Sequence, residues 1–195
     1  MKKTIITISR EYGSGGREIG QALAERFGLP FYGKDVAVLS AVQSGLSPEV
    51  VEQSEDRVPG GLSYKSYLQG QGIPISDRVF FAQSEIIRTL AAQGPCVIVG
   101  RCADYVLRDC PGCIHLFIHA PQESRVRRIV SREHCSEARA RERIATVDKN
   151  RAAYHDHYAH GKWGYASGYN FTIDSSVGIG KVVDIIAVLV KQIQK

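Results

Sequence analysis

Short runs of apolar, mostly β-branched residues recur along the chain, separated by longer segments in which apolar residues return at helical spacing. A run of about four to eight apolar residues bounded by turn residues is typical of a buried strand, and helical spacing is typical of a helix packed on one side. Their alternation predicts an α/β fold in which parallel strands are joined by right-handed crossovers. The predicted strands lie at about residues 3–9, 29–32, 95–99, 114–119 and 169–174.

The first predicted helix shows how the limits of an element follow from residue types. Ile19 and Leu23 fall on one face, and Gly28 and Pro30 end the helix, because glycine accepts left-handed backbone and proline cannot continue a helix. The segment 58–76 is rich in Gly, Pro, Ser and Tyr and predicts a long loop. Further helices are predicted over residues 35–44, 47–57, 77–93, 122–132, 137–157 and 180–194.

Three segments with polar or glycine-rich character follow predicted strands directly. They are the glycine-rich segment after the first strand, the Gly100-Arg101 pair, and the turn after Asp174. In open parallel sheets, ligands bind in the crevice outside the carboxyl ends of the strands. The sequence therefore predicts a ligand site at this edge of the sheet.

The segment between the first strand and the first helix has the composition of a phosphate-binding loop. Glycines let the backbone wrap around a phosphate, and a helix that begins there directs unpaired N–H groups at it. A tight strand-to-helix turn without any ligand is the alternative interpretation, and the position between a strand and a helix favours the phosphate site. The candidate nucleotide- and phosphate-binding residues are Gly13, Ser14, Gly15, Gly16, Arg17 and Glu18.

This loop departs from the standard P-loop motif G-x-x-x-x-G-K-[ST]. With Arg17 placed on the motif's Lys, Gly16 matches the second glycine, Glu11 replaces the first, and Glu18 replaces the Ser or Thr that binds Mg²⁺. Aligned from the strand end without a gap, Gly16 falls on the Lys and Arg17 follows it. In neither register is a Lys present. Arg17 still offers charge and bidentate contacts to phosphate, whereas Glu18 would repel phosphate unless it ligates a Mg²⁺ ion between them.

Composition narrows the class of protein. The 195 residues, 44% hydrophobic and 23% charged, fit a single globular domain and exclude a disordered tail, a fibrous repeat or a coiled coil. The net charge of +5 favours anionic ligands such as nucleotides. No apolar segment approaches the length of about 20 residues that spans a membrane. Five scattered cysteines predict reduced thiols and a cytoplasmic location.

The region from residue 122 to residue 157 is unusually rich in arginine. The ordinary interpretation of such a run is a solvated helix face on which Arg pairs with Glu, here with Glu123, Glu133, Glu137 and Glu142. Most of these arginines are expected to have that role. The eight are Arg125, Arg127, Arg128, Arg132, Arg139, Arg141, Arg143 and Arg151.

Three further groups have both a functional and a structural interpretation. His155, His157 and His160 lie close enough in sequence for a metal site, but without a carboxylate or cysteine cluster a polar helix is favoured. Cys110 to Cys113 has the spacing of a redox or zinc motif, yet it stands in a turn before a strand and is interpreted as a turn. Trp163 is either a hydrophobic anchor or a stacking platform for a base, and the anchor is the commoner role.

Several segments together resemble the cytidylate kinase-like family, relatives of bacterial cytidylate kinase among the P-loop nucleoside monophosphate kinases. They are ITISREYGSGGREIG (5–20), CVIVGRCADYVL (96–107), LFIHAPQESRVRR (116–128), and DKNRAAY with HGKWG and YNFTIDSS (148–176). The resemblance implies a single domain over residues 1–195 with a three-layer fold, a five-stranded parallel sheet, a monophosphate-binding insert at about 35–76 and a lid at about 132–165. It also implies transfer of the ATP γ-phosphoryl group to a nucleoside monophosphate, CMP or dCMP first, with Mg²⁺.

The resemblance assigns roles to individual residues. Arg101 matches an arginine that holds the acceptor phosphate, with Cys102 where the family has Asp. Arg125 and Arg151 match lid and substrate arginines and, with Arg17, are the candidate catalytic residues. Asp148 matches a carboxylate that accepts from a cytosine amino group or orders the lid arginine, so Arg101, Asp148 and Arg151 are the candidate substrate-binding residues.

Three functions compete at this point. The leading hypothesis is a nucleotide kinase with a nucleotide donor and a small phosphorylated acceptor as partners. The missing P-loop Lys and Ser/Thr motivate a second, a non-catalytic nucleotide- or phosphate-binding module. The poor match of residues 35–76 to cytidylate kinase motivates a third, a kinase for another small phosphorylated acceptor. Nucleic acid and membrane are not expected as partners, because the charge is modest and the aromatic residues form no stacking pattern with the arginines.

Overall fold

The computed structural model describes residues 4–54, 57–59, 72–159 and 161–193. These residues form a parallel sheet flanked by helices. The strands are β1 (Ile5–Arg10), β2 (Phe31–Tyr32), β3 (Cys96–Val99), β4 (Cys113–His119) and β5 (Phe171–Asp174). The α-helices are α1 (Gly16–Phe27), α2 (Asp35–Ser44), α3 (Pro48–Ser54), α4 (Ile75–Gln93), α5 (Ala103–Val106), α6 (Gln122–Glu133), α7 (Glu137–Ala159) and α8 (Ile179–Ile193).

The sheet has the strand order β2-β3-β1-β4-β5, and every neighbouring pair of strands is parallel. β1 lies at its centre, where Ile5 is in register with Cys96 of β3 and with Cys113 of β4. The predicted α/β fold with a five-stranded parallel sheet is therefore confirmed. Because parallel strands end at the same edge, the segments that follow β1, β3 and β4 meet there.

Helices cover both faces of the sheet and give the fold three layers. Successive side chains of a strand point to opposite faces. Ile6 and Ile8 are buried against α1 and α8, whereas Ile5 is buried on the other face against α4, α5 and α7. Each fully buried isoleucine side chain contributes roughly 1.5–3 kcal/mol, so β1 is anchored from both sides.

β2 is shorter than the predicted strand over residues 29–32. The N–H of Leu29 donates to the carbonyl of Ala24 at 2.8 Å, so Leu29 belongs to the end of α1, where Gly28 has the left-handed conformation expected of it. Pro30 has no N–H to donate, and its carbonyl accepts from Val97 at 2.9 Å. Only Phe31–Tyr32 are left to form the strand.

The boundaries of five helices also differ from the prediction, α6 and α8 by a single residue at an end. α4 begins at Ile75 rather than residue 77, so the last two residues of the predicted loop over 58–76 are helical. Residues 60–71 of that loop lie outside the described residues. α3 ends at Ser54 and α7 extends to Ala159. In the described parts of the chain no helix is long and apolar enough to cross a bilayer.

Candidate functional site

The glycine-rich loop joins the central strand to the first helix. β1 ends at Arg10 and α1 begins at Gly16, and Gly13 and Gly15 have φ angles of +79° and +81°. These left-handed conformations favour glycine. The N–H groups of the first turn of α1 have no intrahelical acceptors, so they are available to an anion at the end of the helix.

Contacts on the outer side hold this loop in shape. The carbonyl of Gly13 accepts a hydrogen bond from Arg128 of α6 at 2.5 Å, and the carbonyl of Ser14 accepts one from the hydroxyl of Ser175. A Cβ atom at Gly15 would lie 3.1 Å from Ile179 of α8. The loop carbonyls are thus turned towards α6 and the segment between β5 and α8, which leaves the other side of the loop to the ligand.

A second backbone feature stands at the end of β3. Gly100, Arg101 and Cys102 have successive φ angles of +85°, +59° and +52°. Left-handed backbone costs a non-glycine residue roughly 1–2 kcal/mol, so Arg101 and Cys102 are strained. This turn directs Arg101 into the same cleft as the glycine-rich loop, and Cys102 caps α5.

A cleft of about 720 Å³ opens between the glycine-rich loop, the end of β3, and helices α6 and α7. Seven basic and two acidic side chains line it, an excess of five that equals the formal net charge of +5 of the whole chain. Concentration of one sign of charge in a cleft raises the local concentration of oppositely charged ligands. The basic residues are Arg10, Arg17, Lys34, Arg101, Arg132, Arg143 and Arg151, and the acidic ones are Glu11 and Glu18.

Three of these arginines gather around the ring of Tyr12. The guanidinium carbons of Arg132, Arg143 and Arg151 lie 5.3, 5.8 and 5.6 Å from the ring centroid, within the range of cation–π attraction. Burial, together with the hydrogen bond that the hydroxyl donates to Glu133 at 2.6 Å, raises the pKa of Tyr12. Tyr12 is therefore a neutral platform that positions arginines from α6 and α7.

Glu133 completes this cluster from the end of α6. Its two carboxylate oxygens accept from Arg132 at 2.8 Å and from Arg143 at 2.7 Å, in addition to Tyr12. Burial alone would raise the pKa of Glu133, but the hydrogen bonds from Tyr12 and Arg132 and the charge of Arg143 lower it. An ionised carboxylate here holds two arginines at the rim of the cleft.

The structure brings most of the sequence-selected residues to this cleft, but not all. Ser14 is fully buried beneath the loop, where its hydroxyl donates to the carbonyl of Glu11 at 2.8 Å. Arg125 and Asp148 do not line the cleft; they pair with each other at 2.5 Å. The selected residues that do line it are Gly13, Gly15, Gly16, Arg17, Glu18, Arg101 and Arg151.

Arg125 and Asp148 support the loop from behind. Asp148 accepts from the N–H of Tyr12 at 2.7 Å, and the Nε of Arg125 lies 3.4 Å from the carboxylate of Glu11. Glu11 in turn accepts from the N–H of Ala120 after β4 at 3.1 Å. This network fixes the first residues of the glycine-rich loop to α6, α7 and β4.

Comparison with protein-family models matches residues 5–177 to the cytidylate kinase-like family. The chain belongs to this family. A search of curated proteins found no match. Among solved structures, this cytidylate kinase-like chain is similar to an uncharacterized protein from Eubacterium ventriosum, with 28% identity and a TM-score of 0.74 over 97% of this chain and 99% of that one.

Kinases are among the solved structures that share the fold. A shikimate kinase from Bacteroides thetaiotaomicron has 10% identity and a TM-score of 0.59, with 96% of this chain and 98% of that chain covered. A gluconokinase from Sinorhizobium meliloti has 18% identity and a TM-score of 0.56, with 98% and 96% covered. The fold of this cytidylate kinase-like chain is therefore that of P-loop kinases.

Five basic or aromatic side chains of the cleft are not assigned to a site by the sequence. Arg132 and Arg143 belong to the arginine run that predicts a solvated helix face, and Tyr12, Lys34 and Arg10 match no site pattern. One signal was present for Arg10, since it ends the first strand and immediately precedes the glycine-rich loop. The gathering of Arg132 and Arg143 around Tyr12 depends on contacts more than 100 residues apart and has no local signal.

Mg²⁺ usually binds proteins through one or two carboxylates and completes its shell with phosphate oxygens and water. Glu18 lines the cleft, with its carboxylate 3.9 Å from Arg132. Glu11, the other cleft carboxylate, accepts from the N–H of Ala120 and lies 3.4 Å from Arg125, so Glu18 is the carboxylate that fits a Mg²⁺ ion arriving with a nucleotide. Within the described ranges no group of three His, Cys, Asp or Glu side chains is placed to hold a metal ion.

Asp104 and His155 form a buried pair on the side of the sheet opposite α1. Nε2 of His155 lies 2.8 Å from Asp104, which also accepts from the hydroxyl of Ser9 at 3.1 Å. Burial alone would raise the pKa of Asp104, but the interactions with His155 and Ser9 lower it. His155 thus ties α7 to the sheet, whereas His160 lies outside the described residues.

The two remaining sequence motifs have structural roles. The N–H of Cys113, the first residue of β4, donates to the carbonyl of Cys110 at 3.3 Å, as the turn interpretation predicts. Trp163 meets the ring of Phe117 edge-on at 5.3 Å between centroids, which agrees with a hydrophobic anchor. Neither motif contributes to the cationic cleft.

Proposed function

We propose that this chain is a nucleotide kinase that transfers the γ-phosphoryl group of ATP to a nucleoside monophosphate, with CMP or dCMP the first acceptor to test. The observation that carries the proposal is that seven basic side chains and a glycine-rich loop face one cleft. Phosphoryl transfer needs positioning and charge stabilisation and little covalent chemistry from the protein. A cleft with this charge suits two phosphorylated ligands better than one.

Bound ATP with Mg²⁺ would supply the phosphoryl group and a divalent positive charge that offsets the charge of the phosphates, and Glu18 is the cleft side chain that would hold the metal. The N–H groups at the start of α1 bind phosphate oxygens, and Arg17 neutralises them from the first turn. Arg101, at the end of β3, binds the acceptor phosphate. Arg151, whose Nη1 donates to the carbonyl of Arg10 at 3.2 Å, lines the same cleft and stabilises charge on the transferring group.

Arg125 and Asp148 contribute through the loop in this scheme. Their pair holds Tyr12, and Tyr12 holds the arginines at the rim of the cleft. Asp148→Asn therefore weakens acceptor binding through the loop, with an accompanying loss of about 1–3 kcal/mol in unfolding free energy. A large loss of acceptor affinity at unchanged stability would instead support direct contact between Asp148 and the acceptor base.

One observation favours a second function, a nucleotide-binding module without transfer. The loop has no Lys, and the acidic Glu18 is drawn towards Arg132. In this second proposal the same cleft binds nucleotide phosphates but has no cation that binds the transferring phosphoryl group more strongly in the transition state than in the bound nucleotide.

A coupled ADP-release assay against a panel of nucleoside monophosphates and other small phosphorylated acceptors separates these functions. The kinase proposal expects turnover with at least one acceptor, and loss of turnover in both Arg17→Ala and Glu18→Ala. ATP binding by the wild type without transfer to any acceptor would replace the kinase with the binding module.

None of the five cysteines forms a disulfide, which supports a reducing, cytoplasmic location as part of the proposal.

A further inference from the structure

Gly16, which lines the cleft, and Gly100, at the end of β3, leave room for one arginine side chain. A Cβ atom at Gly16 would lie 2.6 Å from the Cβ and 3.0 Å from the Cγ of Arg10. A Cβ atom at Gly100 would lie 3.0 Å from the Cζ of the same side chain. Arg10 therefore leaves the end of β1, passes over Gly16, and places its guanidinium against the backbone at the end of β3.

Conformation explains the glycine at one of these positions but not at the other. Gly100 has a φ of +85°, which favours glycine regardless of its neighbours. Gly16 opens α1 without a positive φ, and glycine is the poorest helix former after proline. The passage of Arg10 is what requires glycine at position 16.

The structure also favours one of the two alignments to the P-loop motif. The second glycine of the motif ends the loop, and the Lys after it opens the helix. Here Gly15 is the left-handed residue that ends the loop, and α1 begins at Gly16. In this register Arg10 stands where the motif has its first glycine, and Gly16 stands where it has Lys.

We infer that Arg10 takes the place of the P-loop Lys and binds the β- and γ-phosphates of the nucleotide donor. Compared with the motif, the cation and the glycine stand at each other's positions: the cation is Arg10 at the end of the strand, and the glycine is Gly16 at the start of the helix. The guanidinium delivers the same charge into the cleft and adds a planar fork for bidentate contacts to phosphate. The inference rests on the proposed function in taking ATP as the ligand.

Calorimetric titration with ATP, ADP and AMP tests this assignment in four proteins: wild type, Arg10→Ala, Gly16→Ala and the double variant. Arg10→Ala weakens binding of ATP and ADP by about 10- to 100-fold and leaves AMP affinity nearly unchanged, because only the first two carry a β-phosphate. Gly16→Ala weakens ATP binding because the added methyl group displaces Arg10. The double variant is no weaker than Arg10→Ala alone.

A second pair of variants rebuilds the ordinary motif. Arg10→Gly loses ATP affinity, and Arg10→Gly with Gly16→Lys recovers it, since the lysine now occupies the space that the arginine left. Arg127→Ala, which removes an exposed arginine of α6, is the control for net charge and keeps wild-type affinity. Thermal unfolding monitored by circular dichroism establishes that each variant is folded.

Three results would overturn the assignment: a folded Arg10→Ala with wild-type ATP affinity, an equal loss of affinity for AMP, or no recovery in the folded Arg10→Gly/Gly16→Lys protein. The outcome for the kinase proposal is separate. If ATP binding follows the expected pattern and no acceptor is phosphorylated, the assignment of Arg10 stands and the kinase proposal fails. If the wild type phosphorylates an acceptor and Arg10→Ala does so equally well, the kinase proposal stands and the assignment of Arg10 fails.

Discussion

The amino-terminal half of α7 carries exposed ion pairs beside a small buried patch formed by Ala140 and Ile144, whereas the carboxyl-terminal half packs aromatic rings into the main core. Arg139 pairs with Glu142 at 3.1 Å, and Arg141 pairs with Glu123 at 2.7 Å. In the other half, the ring of Tyr158 stacks on Phe80 of α4 at 4.0 Å between centroids, and its hydroxyl donates to Asp77 of the same helix.

The difference teaches where along one helix the stability and the proposed chemistry reside. Exposed ion pairs are worth at most about 1 kcal/mol, whereas a buried aromatic side chain is worth several. Arg151 lies between the two halves and reaches the cleft. We expect removal of the buried rings in the carboxyl-terminal half to destabilise the protein, removal of Arg151 at the junction to impair binding, and removal of the exposed ion pairs in the amino-terminal half to have little effect.

Tyr158→Ala should have the largest effect, a loss of about 3–5 kcal/mol in unfolding free energy, because it opens a cavity beside Phe80. Urea unfolding followed by circular dichroism measures it. Tyr165→Ala is the matched control, since Tyr165 is 65% exposed, and should change stability little. Equal losses at both tyrosines would show that the carboxyl-terminal half of α7 is not an anchor.

Arg151→Ala and Arg101→Ala should lower acceptor affinity or activity by about 2–4 kcal/mol if they contact buried phosphate charge. Acceptor titration and initial rates with the best acceptor of the panel measure both effects. A loss of unfolding free energy of the same size, without a change in affinity, would place these arginines in the structural group with Tyr158.

Asp104→Asn should remove about 1–3 kcal/mol at neutral pH and change the response to acid. Because the pKa of Asp104 is lowered in the folded state from its ordinary value of 3.8, its stabilisation is fully present above that value and is lost as the pH falls through the lowered folded pKa. The variant should therefore lose less stability than the wild type on acidification below pH 4.

Urea unfolding between about pH 6 and pH 3 measures this difference. Burial lowers the pKa of His115, although the charge of Asp104 opposes this shift, so His115 adds its own loss of stability as the pH falls below its ordinary 6.5. The two curves are therefore compared near and below the ordinary pKa of Asp104, 3.8. Asp109→Asn is the control, with a side chain that is 86% exposed. Parallel pH curves for wild type and Asp104→Asn would contradict the role of the pair.

Arg139→Ala and Arg141→Ala should have the smallest effects, at most about 1 kcal/mol in unfolding free energy and none in acceptor affinity. The same titration and unfolding measurements apply, repeated at low and high salt, since screening weakens exposed pairs. A loss of activity equal to that of Arg151→Ala would mean that the acceptor site extends over the amino-terminal half of α7.

The fold could be predicted because its signals are local. The apolar run of β1 and the glycine that ends α1 act within a few residues, and the central position of β1 follows from its burial on both faces. The pairing of exposed arginines with Glu123, Glu137 and Glu142 was likewise expected from helical spacing and composition, and it is confirmed.

The cleft could be predicted only in part. Arg17 lies in the segment after β1 and Arg101 follows β3, so the sequence predicts that both lie at the ligand edge of the sheet. Arg132 and Arg143 reach the cleft only through their contacts with Tyr12 and Glu133. The space above Gly16 could not be inferred either, since it depends on the path of the Arg10 side chain.

The left-handed turn at the end of β3 has a consequence for protein engineering. Arg101→Gly would relieve backbone strain worth roughly 1 kcal/mol while it removes a guanidinium from the cleft. A library of variants screened for thermal stability alone would therefore accumulate glycine at this position. Its most stable members would bind the phosphate ligand weakly. Thermostable variants of this protein should be selected with a phosphate ligand present, so that the strained arginine is retained.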